Sequence, residues 1–417
     1  MTSKKRSEEL IALENEYLAP NYKPLDVVIA KGDGVNVEDV DGKKYMDFLA
    51  AYSALNQGYM HPRIKNALID QLDNVALTSR AFRNDQLPLL AQELCGMTGF
   101  EMMLPMNTGA EAVETAIKAA RKWGYRIKGV EDGKQEIIVC NDNFHGRTVT
   151  IVSFSTEEEY KEGFRPFTPG FKSIPYGDIK ALEDAITENT VAFLFEPIQG
   201  EAGVLIPPDG FIKDVRRVCD ENNMLMIADE IQSGLGRTGK MFAFQWEDVR
   251  PDMVTIGKAL SGGYYPVSAV LSSKEILSLF GPGQHGSTYG GNPLGCRIAR
   301  EAMAVLVEEK LIERSAEMGV AFLERLKAID SPHVESVRGR GLWFAIDLKP
   351  EAGGARRFAE ALMEKGLLVK ETHTHTLRLA PPLTITQEEL DWAYDRLCEV
   401  LCEDKNTSCG GCCCCGG

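Results

Sequence analysis

Apolar and polar positions alternate along this chain in two periods, and the two periods take turns. Residues Ala110–Tyr125 carry Val113, Ala116, Ile117 and Ala120 at helical spacing, which predicts one helix with a single apolar face. Short unbroken apolar runs predict buried strands at Glu136–Cys140, Val191–Phe195, Met224–Ala228 and Asp252–Ile256. Between the second and third lies Phe211–Asn222, again at helical spacing, so that stretch reads as a βαβ unit. Upstream, Gly34–Tyr45 reads as a hairpin closed at Asp41-Gly42. Downstream of Gly291 the pattern predicts a long helical stretch over about 292–328. Strands follow near Val334–Val337, Leu342–Leu348 and Leu377–Ala380, then a last helix at Gln387–Glu403.

Strand and helix alternating in this way predict an α/β architecture with a mainly parallel sheet. The expected division is an N-terminal segment (1–51), a large α/β domain (52–298) and a smaller α+β domain (299–405) built with help from the N-terminal end. Residues 406–417, rich in cysteine and glycine, are expected to be a disordered tail.

Charge narrows the partners. With 46 Lys and Arg against 61 Asp and Glu, the net charge is −15, which repels a phosphate backbone and argues against nucleic acid. No apolar run reaches the ~20 residues of a membrane span. The basic start, Lys4-Lys5-Arg6, has no apolar stretch behind it and meets Glu8-Glu9 at once, so a cytoplasmic protein is expected. Six scattered cysteines in apolar surroundings fit a reducing compartment. His373 and His375 fall on one face of an apparent strand, but no further ligands are in view and no metal is expected.

The candidate chemistry sits where the apolar runs end. One run ends at Asp229-Glu230, another at Gly257-Lys258 before Ser261-Gly262-Gly263. A lone amine and a lone carboxylate at the ends of two buried strands match the needs of pyridoxal phosphate. That cofactor takes a lysine for its Schiff base and an acid against its pyridinium nitrogen. Thr108-Gly109-Ala110 opens the Ala-rich helix, where free N–H groups make an anion site. The His285–Pro293 loop, with Ser287 and Thr288, is a second stretch able to hold a phosphate. Phe144 offers a flat face for a pyridine ring, and Arg147 a fork for a carboxylate. Glu196 and Glu201 flank a glycine-rich segment, and Arg340 and Arg378 add cations. One amine with separated acids and separated arginines suits a substrate that carries both charges.

With these residues in view, the chain resembles the class III pyridoxal-phosphate aminotransferases, and among them the ornithine-specific branch. The resemblance runs from about Tyr17 to Leu401. It is carried by Leu104–Gly109, Ala119–Tyr125, Glu196–Gly203, Asp229–Gln232, Gly257–Gly263 and His285–Pro293. It implies fold type I and a homodimer with active sites at the subunit interface. It also implies Lys258 as the Schiff-base lysine, Asp229 as pyridinium partner, and Thr108, Gly109 and Ala110 as the phosphate-binding helix start. Phe144 becomes the stacking ring, and Gln232 the neighbour of the phenolic oxygen. Ser287 and Thr288 reach the other subunit's phosphate. Tyr22 and Arg147 clamp a substrate carboxylate, Tyr52 walls the pocket, and Glu201 with Arg378 forms a switchable ion pair. The reaction implied moves the δ-amine of ornithine to 2-oxoglutarate. N-acetylornithine and 4-aminobutyrate are the rival donors, and a catalytically idle binding protein of the same fold is the rival of another class.

Overall fold

A computed structural model describes residues 5–403; the cysteine-rich tail expected at 406–417 lies outside them. The central sheet has seven strands. Across the sheet they run Met102–Met106, Ser268–Ser272, Met253–Ile256, Leu225–Asp229, Thr190–Phe195, Glu136–Cys140 and Phe171–Ile174. Only Ser268–Ser272 runs against its neighbours. The expected mainly parallel sheet is thus found, and the expected βαβ unit is Thr190–Phe195, helix Phe211–Glu221 and Leu225–Asp229. Every residue of its two strands is buried, which explains why they read as unbroken apolar runs. Met102–Met106 contains Pro105 and lies at the sheet edge, where a missing N–H breaks no ladder.

The helix expected from Ala110 spans Gly109–Trp123, and its predicted apolar face is buried as read. It ends in a wider turn at Gly124–Lys128. Gly124 is required there: a Cβ would lie 2.2 Å from Val191 Cγ1, so this end of the helix packs on the sheet at backbone distance.

Two smaller sheets flank this core. The N-terminal hairpin, Asn36–Asp39 against Lys44–Asp47, is joined in parallel by Leu367–Leu368 from near the other end. Its turn is longer than the expected Asp41-Gly42 pair. Asp39 accepts from the N–H groups of Asp41 and Lys43, a side-chain closure that a two-residue turn cannot offer. The other small sheet is antiparallel, in the order Val334–Gly339, Phe344–Leu348, Thr376–Leu379, Lys370–Thr372. His373 and His375 sit in the turn between its last two strands, with His373 at φ +50°, so the single strand expected there is a hairpin. Among the described residues no cluster of side chains could hold a metal ion. The long helix expected over 292–328 is two helices, Pro293–Glu308 and Leu311–Lys327, broken where Lys310 turns left-handed at φ +54°. No helix among the described residues is long and apolar enough to cross a membrane.

Candidate active site

The parallel strands deliver their C-terminal ends to one edge of the sheet, which is where ligands bind in open α/β folds. Asp229 is the last residue of its strand, Glu196 follows the end of another, and Phe144-His145-Gly146 follows a third. Met102–Met106 runs in the same sense as these strands, so Thr108-Gly109-Ala110 emerges at that edge too. Apart from Thr108, these residues line, with Ile198, Ile231, Gln232, Ser233 and Lys258, a solvent-open cavity of about 190 Å³.

Lys258 stands at the head of a short 3-10 turn with φ +42°, a conformation rare outside glycine. Burial lowers its amine below the usual lysine range, and Arg378 adds to that; Glu201, Asp229 and Glu196 pull the other way. More neutral amine is the form a nucleophile needs.

Asp229 is buried and held by three donors. His145 Nδ1 lies 2.6 Å from Oδ2, while Thr255 Oγ1 at 2.9 Å and the Ile231 N–H at 3.1 Å reach Oδ1. Burial works against charge on His145, yet the bond to Asp229 wins and raises the imidazole above its usual value. Glu196 completes this buried cluster. Its carboxylate accepts from the Phe144 N–H, and burial pushes it up to about 7. His145 received no role from the sequence, and Glu196 was expected only as one of two acids for a doubly charged substrate, not as a member of this cluster. The signal for His145 was its place directly after a candidate stacking ring, but only the fold turns it onto Asp229.

At the helix start Thr108 Oγ1 accepts from the Glu111 N–H, and the Glu111 carboxylate accepts from the N–H groups of Asn107 and Thr108. This capping box consumes those donors and leaves the N–H groups of Gly109 and Ala110 at the cavity wall. Thr108 itself is exposed and its hydroxyl is engaged in the cap. Gln232 lines the cavity with a buried amide nitrogen that meets no partner in the protein. Lysine, buried acid, free helix N–H pair and orphaned amide are a donor set that fits pyridoxal phosphate.

Beside Lys258, the buried Arg378 donates through Nη1 to Glu201 Oε1 at 2.9 Å, and its guanidinium lies 4.9 Å from the Tyr52 ring centre. The expected ion pair and pocket wall are thus in contact. The loop carrying Glu201 is fastened from the C-terminal sheet: Thr372 donates to the Glu201 carbonyl, and Arg338 to the Gly203 carbonyl. Arg147 stands at the surface, stacked on Tyr160 at 3.5 Å and Phe144 at 4.5 Å. No hydrogen bond or ring contact joins it to Tyr22, which is 81% exposed, so the expected clamp is not assembled within one chain. Ser287 accepts from Asn107 and the Gly290 N–H, and neither it nor Thr288 lines this chain's own cavity.

Residues 17–401 match the model of the family described as Aminotransferase class-III. The chain is 59% identical over 396 residues to an ornithine aminotransferase of Brevibacillus brevis, covering 95% of this chain and 98% of that one. It superimposes with a TM-score of 0.95 on the ornithine aminotransferase of Toxoplasma gondii, at 42% identity over 97% of this chain and 96% of that one. That crystal structure holds PLP in its active site at partial occupancy. An acetylornithine aminotransferase of Elizabethkingia anophelis gives a TM-score of 0.87 at 46% identity, covering 95% of this chain and 99% of that one. A family match over nearly the whole length, on a cavity built from one lysine and one buried aspartate, makes this chain a member of the class III aminotransferases.

Proposed function

We propose that this enzyme transfers the δ-amino group of L-ornithine to 2-oxoglutarate. The products are glutamate 5-semialdehyde, which cyclises to pyrroline-5-carboxylate, and glutamate. The observation that carries this reading is the Glu201–Arg378 ion pair beside Lys258, with a second arginine, Arg147, outside the cavity. Pyridoxal 5′-phosphate is the cofactor, and when bound it supplies an electron-accepting ring.

The chain's own residues do the rest. Gly109 and Ala110 N–H groups, with Thr108 at the same helix start, receive the phosphate. Phe144 stacks on the ring, Gln232 faces its phenolic oxygen, and Asp229 keeps its nitrogen protonated. Lys258 Nζ would hold the cofactor's aldehyde carbon and, as a neutral amine, would take the proton from the substrate's amine-bearing carbon and return it to the neighbouring carbon. Ser287 and Thr288 serve the neighbouring subunit's phosphate, which makes the working unit a homodimer. In this reading residues 1–51, 52–298 and 299–405 are the N-terminal segment, the large domain and the small domain.

Regiochemistry follows from two carboxylate sites. Ornithine's α-carboxylate is held by Arg147 and Tyr22, far from Lys258, so its δ-amine arrives at the amine. A keto acid must present its α-carboxylate close in, at Arg378. Glu201 masks that arginine in the first half-reaction and releases it in the second, while Tyr52 forms the wall. Tyr22 and Tyr52 together favour a free amino-acid head group over an N-acetylated one. The 46% identity to an acetylornithine aminotransferase keeps N-acetylornithine as the second reading.

Assays of ornithine, N-acetylornithine and 4-aminobutyrate with 2-oxoglutarate, with glutamate formation as the common readout and pyrroline formation as the signature of ornithine turnover, test the proposal. Ornithine is expected to give the highest kcat/KM; a higher value for either rival overturns it.

A further inference from the structure

Ala50, Ala51, Tyr52 and Ser53 form one left-handed turn, with φ of +48°, +46°, +59° and +73°. Left-handed backbone in consecutive residues, none of them glycine, is disfavoured because each Cβ crowds the following carbonyl. Something must hold it. The chain is anchored on both sides. Before the turn, the Phe48 N–H donates to the Leu368 carbonyl and the Phe48 carbonyl accepts from the Ala380 N–H at 2.6 Å. After it, Asn56 donates to the Leu235 carbonyl, and Gln57 to those of Ala259 and Ala302. Ala380 lies near Arg378 on its strand, and Ala259 follows Lys258. The turn therefore hangs between the neighbourhoods of the two cations that define the site.

Asp47 seals its entry. The buried carboxylate accepts from the Leu49 N–H at 2.7 Å, the Ala50 N–H at 3.2 Å and the Tyr59 hydroxyl at 2.9 Å. The outcome is the Tyr52 ring 4.9 Å from the Arg378 guanidinium. A right-handed turn between the same anchors would direct Tyr52 elsewhere.

We propose that Asp47 is a positioning residue: by holding the left-handed turn Ala50–Ser53 it lays Tyr52 against Arg378 and so tunes that arginine for a keto-acid carboxylate. This rests on the reading of Arg378 as the acceptor's carboxylate site. Tyr52 is the effector and Ala51, exposed at the turn's outer side, reports the strain without touching the pocket.

The test is steady-state kinetics of the holoenzyme with ornithine and 2-oxoglutarate, for Asp47→Asn, Ala51→Gly and the double variant. Asp47→Asn raises KM for 2-oxoglutarate about tenfold with kcat little changed, as expected when an interaction that orients substrate is weakened. Glycine accepts the left-handed turn at no steric cost, so Ala51→Gly alone raises Tm and, added to Asp47→Asn, returns KM toward wild type. An unchanged KM in Asp47→Asn, a double variant that keeps the raised KM, or a lower Tm in Ala51→Gly overturns the proposal. If Asp47→Asn does not fold, Ala51→Val decides, since a β-branched residue resists this conformation. A raised KM then supports the proposal and a wild-type KM overturns it. Wild-type protein without ornithine turnover would sink the parent reading instead, and the KM comparison would be run with the donor it does accept.

Discussion

Arg378 and Glu201 share one hydrogen-bonded contact of 2.9 Å but not one environment: the arginine side chain is 2% exposed and the glutamate 28%. Either breaking the pair or keeping it leaves Arg378 in place, because its guanidinium is walled in by Tyr52 and the Gly200 carbonyl. The asymmetry supports the proposed switch, in which the acid would move and the base would stay.

Glu201→Ala should therefore expose a permanently available arginine. The expected outcome is a faster half-reaction with glutamate, an α-amine donor, and a smaller preference for ornithine. Stopped-flow measurement of the glutamate half-reaction checks this; an unchanged rate means that Glu201 masks nothing. Thermal stability should fall as well, since removing the acid strands a buried guanidinium.

His145 and Asp229 form a second pair, at 2.6 Å, with both members buried. His145→Ala leaves the acid with Thr255 and the Ile231 N–H but takes away its imidazole partner. Breaking a buried pair costs about 3–5 kcal/mol. The apo-protein should melt well below wild type and the holoenzyme should bind its cofactor more weakly. Equal cofactor affinity in the two proteins would show that Asp229 needs no help from His145.

Glu196 supplies a pH signature. Its carboxyl is raised from 4.5 to about 7 in the folded protein, chiefly by burial. The folded state therefore holds a proton that the unfolded state has released, and stability from this group is present below about pH 4.5 and lost as pH climbs through 7. Glu196→Gln removes that dependence. The Tm of the variant relative to wild type should rise across this window; parallel melting curves from pH 4.5 to 7 would contradict it.

Gly200 lies under the site's polar wall. A Cβ there would stand 2.1 Å from Gln232 Oε1 and 2.8 Å from Trp343 Cζ2. Overpacking of this kind costs about 1–3 kcal/mol. Gly200→Ala should lower Tm by a few degrees and displace both Gln232 and the neighbouring Glu201, so that catalytic efficiency falls with both substrates. Full activity in this variant would mean that the loop relaxes freely, against its fastening by Thr372 and Arg338.

Much of this protein was legible in one dimension. Strands buried on both faces must be apolar throughout, so the core of the sheet announced itself, and so did the amine and the acid that interrupt it at Lys258 and Asp229. The helix at Gly109 was legible through its apolar face and through Thr108 at its head, while its capping box was seen only in the fold. What stayed hidden had no local cause. His145 meets Asp229 only because the strands Glu136–Cys140 and Leu225–Asp229 end at the same edge of the sheet, with Thr190–Phe195 between them. The exposed left-handed turn at Lys310 and the hairpin through His373 break patterns that periodicity carries straight on. Tyr22 and Arg147, joined into a clamp only by the resemblance, make no contact with each other in a single chain.

The order of polar and apolar residues, set by the cost of removing each from water, thus determined the layers and the few polar groups that had to be buried for a purpose. Which of those groups touch was decided by the packing of distant segments. The Arg378–Glu201 contact, the Tyr52–Arg378 contact and the His145–Asp229 bond each join residues whose separation along the chain is closed only by the fold.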